Sequence, residues 1–117
     1  GEWSLVYFGS EFSHAVRKRP KAGDFRVQEK HGGAHERAEP GAGLIAQGRA
    51  VLAALPGLGF DTCLYARVDG VVSGGRLLLM ELEVLEPQLF LAGAPHAGAS
   101  FARLLSSYLV QRAAATE

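Results

Sequence analysis

Cysteine is almost missing from this chain: Cys63 stands alone among 117 residues. That excludes an intrachain disulfide framework and points to a reducing compartment, the cytoplasm. Excess charge of either sign is missing as well. Twelve basic residues balance twelve acidic ones, so no global field draws the chain to nucleic acid or to an anionic membrane. No apolar run approaches the roughly 20 residues of a membrane-spanning helix, and the first residues do not read as a basic-then-apolar leader. A soluble chain with neither a nucleic-acid nor a membrane partner is expected. There is no Walker sequence and no dinucleotide fingerprint. Ser10, Ser13 and Ser73 sit in ordinary turn or strand contexts, so no nucleophile–base–orienter triad stands out. Cys63, in an apolar stretch, reads as a small core residue.

What is present suffices for one domain over residues 1–117, since 48% of the residues are apolar. Glu2 to Phe8 is rich in strand formers, Gly9-Ser10-Glu11 makes a turn, and Phe12 to Arg17 returns as a second strand. Pro20-Lys21-Ala22-Gly23 breaks the pattern before a short third strand, Asp24 to Gln28. The polar segment Glu29 to Gly43 has no usable period and reads as a loop. Leu44 to Leu55 suits an amphipathic helix that Pro56-Gly57 ends, although Gly48 lies inside it. Near the end, Ser100 reads as the cap of a helix carrying Phe101, Leu104, Leu105, Tyr108 and Leu109 at helical spacing. The expected class is α+β, an antiparallel β-sheet with helices packed on one face. The basic run Arg17-Lys18-Arg19-Pro20-Lys21 has no interleaved aromatics and reads as a solvated strand end or a phosphate-facing rim.

The segments around Arg67-Val68-Asp69 and Glu81-Leu82-Glu83 carry the most information. Cys63-Leu64-Tyr65-Ala66 and Leu77-Leu78-Leu79-Met80 flank the turn Ser73-Gly74-Gly75 as an antiparallel hairpin. With the turn centred on Gly75, Asp69 falls opposite Glu81 and Arg67 opposite Glu83. All four then share one face, because side chains alternate across a sheet. The other face would carry Leu64, Val68, Leu78, Met80, Leu82 and Val84 as core. Like charges directly opposite one another destabilise a sheet unless a cation lies between them. Two readings stand side by side: a metal site, or an exposed cross-strand ion pair with Asp69 belonging to the turn.

Gly23-Asp24-Phe25-Arg26 followed by His31-Gly32-Gly33 sets an arginine beside a flexible glycine pair. Backbone N–H groups there could approach a phosphate closely, and the guanidinium fork suits phosphate or carboxylate; a plain surface loop accounts for the same residues. His31 and His35 lie four apart in a loop without further zinc ligands, and His14 and His96 read as solvated or hydrogen-bonded residues.

Taken in order, Ser4-Leu5-Val6-Tyr7-Phe8, Gly23-Asp24-Phe25-Arg26 with Gly32-Gly33, Arg67-Val68-Asp69 and Glu81-Leu82-Glu83 resemble the C-terminal part of the ATP-grasp ligases, in particular the glutathione-synthetase-like members. The resemblance runs from about Glu2 to Phe101. It implies that Asp69, Glu81 and Glu83 ligate Mg2+ and that Arg67 stabilises the transferred phosphoryl group. It further implies that Arg26 with Gly32 and Gly33 closes over the phosphates of ATP and a small carboxylate substrate. Glu83 stands where that family commonly has Asn, a change that would tighten Mg2+ or admit Mn2+. The implied mechanism is phosphorylation of a carboxylate by ATP, then attack of an amine on the acyl phosphate.

The chain begins Gly1-Glu2-Trp3 and enters a strand at once, as a piece of a longer enzyme would. Half of a nucleotide clamp is then expected, inactive alone and able to form a homo-oligomer through the face its missing subdomain would cover. The rival expectations are a non-catalytic ATP-grasp remnant serving in binding or assembly, and an unrelated α+β binding domain with a solvated acidic face.

Overall fold

The structure, a computed structural model, describes residues 1–19, 34–61 and 63–116. The strands β1 (Glu2–Phe8) and β2 (Glu11–Arg19) form the expected hairpin, turning at Gly9, whose φ of 62° suits glycine. They belong to a five-stranded antiparallel sheet with β3 (Ala34–Ala38), β4 (Tyr65–Ser73) and β5 (Arg76–Glu83), in the order β3-β2-β1-β4-β5. The central position of β1 explains its composition: Leu5, Val6 and Tyr7 are all fully buried, so consecutive residues on opposite faces both need cover.

That cover comes from two helices on opposite faces. Leu44, Val51 and Leu52 of α1 (Ala42–Ala53) pack on the face of Leu5, Tyr7, Ala15 and Val68. Gly48 is inside this helix for a reason of space, because a Cβ there would overlap the Tyr7 hydroxyl and lie 2.9 Å from Leu5 Cδ1. The approach allows Tyr7 Oη–H to donate to the Ile45 carbonyl at 2.7 Å, and burial pushes the Tyr7 hydroxyl pKa up to about 12. On the other face, Ala97, Phe101 and Leu104 of α2 (Ala97–Ala115) pack with Val6, Phe8 and Tyr65. The α+β antiparallel class is as expected, but the helices are divided between the faces rather than gathered on one. An apolar central strand needs both. His96, not Ser100, is the residue at the α2 N-cap, and the Ser100 hydroxyl instead accepts from Arg103 Nη2 at 3.1 Å.

The β4–β5 hairpin turns through Gly74 and Gly75, both with positive φ (57° and 76°), the demand of a two-residue turn compatible with strand twist. Its register is the expected one near the charged residues: Arg67 opposite Glu83, Val68 opposite Leu82 and Asp69 opposite Glu81. A bulge follows, because Gly70 faces Leu79 and Met80 is left over. This corrects the expected core set. Val68 and Leu82 face the core, but Leu77 joins them in place of Leu78, and Leu78 and Met80 are 50% and 61% exposed. One extra residue reverses the alternation, as a register slip would.

Within the segment expected to be loop, Ala34–Ala38 forms β3 against β2, with Arg19 Nε 3.0 Å from Glu36 Oε1. The strand expected over 24–28 lies outside the described residues. Cys63 is half-buried just before β4, lining an apolar cavity of about 540 Å³ with Leu52, Leu55 and Leu64, rather than sitting in a strand. Among the described residues no helix is long and apolar enough to cross a membrane.

Candidate functional site

The face of the sheet bearing Val6 also carries a charged network. Arg67 and Asp69 lie two residues apart on β4, so both point to this side. Arg67 Nε donates to Asp69 Oδ1 at 2.9 Å and Nη2 donates to Oδ2 at 2.7 Å, the parallel fork that matches guanidinium to carboxylate. Nη2 is also 2.7 Å from Glu83 Oε2 on β5, and Nη1 donates to the Gln88 carbonyl at 3.1 Å. The Asp69 and Arg67 side chains are only 2% and 8% exposed. Burial opposes the charge on Arg67, but its bonds to Asp69 and the charges of Asp69, Glu83 and Glu81 outweigh it and raise the guanidinium pKa above its ordinary value. The cation that the opposed carboxylates require is therefore supplied, in this structure, by Arg67 itself.

A strap of residues 84–96 crosses this face after β5. Pro87 is buried, and Glu86 and Phe90 adopt left-handed backbone conformations (φ 51° and 52°). The strap is tied to the sheet through Gln88 and Leu89, whose carbonyls accept from Arg67 and from His14 Nε2 at 2.6 Å. Since Nε2 carries that proton, His14 Nδ1 accepts from the Ser13 hydroxyl at 2.8 Å. Burial lowers the His14 pKa; the Leu89 carbonyl opposes this, and His96 and Arg37 add to it. The Phe90 ring lies 5.6 Å from both Lys18 Nζ and Arg67 Cζ, and its centroid is 5.2 Å from that of His35. Lys18 in turn lies 3.5 Å from Glu2 Oε1.

The expected residues Arg67, Asp69 and Glu83 are thus brought together, with Glu81 on the same face across from Asp69 and exposed. Among the described residues no three His, Cys, Asp or Glu side chains are gathered as a metal-binding group, because Arg67 draws Asp69 and Glu83 to itself. Arg26, Gly32 and Gly33 lie outside the described residues. Sequence reasoning missed Ser4 as a site residue. It is fully buried, pairs across β1–β4 with Asp69, and its Oγ has no hydrogen-bond partner among the described residues. The alternation Ser4, Val6, Phe8 would have placed it on this face. Phe90 carried no such signal. In kind the donors fit Mg2+: three carboxylates and an orphaned hydroxyl are hard oxygen groups.

Comparison with solved structures shows what this sheet and its two helices belong to. D-cycloserine synthetase DcsG superposes with a TM-score of 0.77 and 28% identity, over 93% of this chain and 38% of that one. This is the fold of the C-terminal part of an ATP-grasp ligase. The D-alanine–D-alanine ligase of Bacillus anthracis matches with a TM-score of 0.60 and 26% identity over 90% of this chain and 36% of its own. Its complex with ATP gives 0.59 and 24% over 90% and 35%. The chain spans little more than a third of the length of these ATP-grasp ligases. No family model and no curated protein sequence matches it.

Proposed function

We propose that this chain is the metal- and phosphate-binding half of an ATP-dependent carboxylate–amine ligase, inactive without the remainder of the clamp. The observation that supports it is the register of β4 and β5, which sets Arg67, Asp69, Glu81 and Glu83 on one face of an ATP-grasp sheet. In the proposed reaction a carboxylate oxygen attacks the terminal phosphorus of ATP, and the bond to ADP breaks. An amine then attacks the acyl carbon of the resulting acyl phosphate, releasing phosphate and losing a proton. Asp69, Glu81 and Glu83 would hold Mg2+, which supplies charge neutralisation for the phosphate oxygens. Among the described residues, the contacts of Arg67 use its single Nε–H, both Nη2–H groups and one of the two on Nη1, four of the five a guanidinium has. The remaining Nη1–H would donate to a ligand oxygen. Arg26, Gly32 and Gly33 would close over the phosphates. The carboxylate is a small molecule, and the intact enzyme works in the cytoplasm.

Amide NMR of the chain during titration with Mg2+ and ADP tests this reading, with Asp69→Asn and Glu81→Gln as controls. Shifts clustered at Asp69, Glu81, Glu83 and Arg67 that shrink in both variants are expected. Saturating Mg2+ and ADP that move none of these resonances would overturn it.

One observation favours a second reading, a non-catalytic ATP-grasp remnant acting in assembly: Leu78, Leu79, Met80 and Leu85 are exposed along and just after β5. Concentration-dependent homo-oligomerisation in sedimentation, without any nucleotide response, would establish it.

A further inference from the structure

Ser4 is out of keeping with the strand that carries it. It lies in the central strand β1, followed by the fully buried Leu5, Val6 and Tyr7, and is itself fully buried. A hydroxyl removed from water is destabilising unless it is hydrogen-bonded, yet Ser4 Oγ has no partner among the described residues. An alanine would sit there without that penalty. The sheet register narrows what the hydroxyl can meet. From β2 to β5 the row across the sheet runs Val16, Ser4, Asp69, Glu81. Directly opposed residues of antiparallel strands hold their Cβ atoms about 4.5–5.5 Å apart, so the polar neighbour of Ser4 in this row is Asp69, and Val16 on the other side offers none. Asp69 is held along its own strand by Arg67, whose Nε donates to Oδ1 and Oδ2 at 2.9 and 3.1 Å and whose Nη2 donates to Oδ2 at 2.7 Å. A carboxylate has about four acceptor sites, so these contacts leave room for one more donor.

We infer that Ser4 is a positioning residue for Asp69: its hydroxyl donates to the Asp69 oxygen nearer β1 when the carboxylate turns from Arg67 toward a divalent cation on the β5 side, where Glu81 and Glu83 lie. This rests on the proposed reading of Asp69, Glu81 and Glu83 as cation ligands and adds the group that fixes the first of them. Hydrogen bonds to a ligating carboxylate set its orientation, and losing such a partner lowers metal affinity by roughly ten- to a hundredfold. The Ser4 hydroxyl is unpaired while Arg67 holds Asp69 and paired once Asp69 turns. Its burial therefore weakens the first arrangement and is compensated in the second.

The test combines urea unfolding without divalent cations and amide NMR during titration with Mg2+, alone and again with ADP present, read at Asp69, Glu81 and Glu83. Ser4→Ala removes an unsatisfied hydroxyl and should raise the urea midpoint. The same variant should bind Mg2+ about tenfold more weakly, equivalent to about 1.4 kcal/mol. Ser4→Thr keeps the hydroxyl and should recover most of the affinity. Opposite signs in the two readouts distinguish positioning from packing, because a serine that only packs would lose stability on substitution and leave the affinity alone. A lower midpoint in Ser4→Ala, or Mg2+ affinity equal to that of the parent, refutes the role of Ser4. In that event, parent resonances at Asp69 and Glu81 that still respond to Mg2+ leave the functional reading standing. If Mg2+ moves none of these resonances in the parent, with or without ADP, both readings fall.

Discussion

Replacing Asp69 by Asn separates two opposing effects on the charged face. The substitution relieves the like-charge pairing with Glu81 directly across the sheet, an effect of roughly 0.2–1 kcal/mol. It also removes the carboxylate that accepts the Arg67 fork at 2.9 and 2.7 Å. Removing one partner of a buried ion pair costs about 3–5 kcal/mol because a charge is left uncompensated. Here the loss is smaller, since Glu83 at 2.7 Å and the Gln88 carbonyl at 3.1 Å still hold the guanidinium, and Asn keeps one acceptor oxygen. The net expectation is a destabilisation of about 2 kcal/mol, or a melting temperature lower by roughly 8 °C for a domain of this size. Urea unfolding followed by circular dichroism, without divalent cations, measures it, with an unchanged denaturant slope as the check that only stability moved. A variant as stable as the parent, or more stable, would show that repulsion among the carboxylates dominates. Arg67 would then not be the cation that holds this face together.

Two further substitutions probe other parts of the molecule. Gly48→Ala gains about 1 kcal/mol of helix propensity, but its methyl would overlap Tyr7 and crowd Leu5, an overpacking cost of about 1–3 kcal/mol. The variant should melt below the parent, and an equal or higher melting temperature would show that α1 can move off β1. His14 has its pKa lowered by burial in the folded chain, so the unfolded chain binds its proton more readily. Its contribution to stability is complete above the ordinary value near 6.5 and is lost as pH falls through the lowered folded value. Urea midpoints should therefore drop on acidification through that window in the parent, and drop less in His14→Gln; parallel curves would refute the assignment.

The sequence by itself determined the parts of this fold that depend on local spacing. A Gly-Gly pair marks the turn, and alternation puts Arg67 with Asp69 and Glu81 with Glu83 on one face of their own strands, but the two-residue turn alone, which pairs Ser73 with Arg76, would set Asp69 against Met80; the bulge supplies the extra residue that brings Glu81 there. The apolar run of β1 and the extent of α1, ended near Pro56, are legible for similar reasons. The tertiary structure decided the rest. Residues Ala34–Ala38 have little strand propensity, and β3 exists through its pairing with the edge of β2. The bulge that leaves Met80 unpaired is invisible to periodicity and turns Leu78 outward. Ser4, Lys18, His14 and Phe90 meet the site only because β1, β2 and the strap are brought to the same face. Spacing sets which side of its own strand a residue points to; which charge, ring or carbonyl it finds there is set by distant chain segments, 75 positions away in the case of His14 and Leu89.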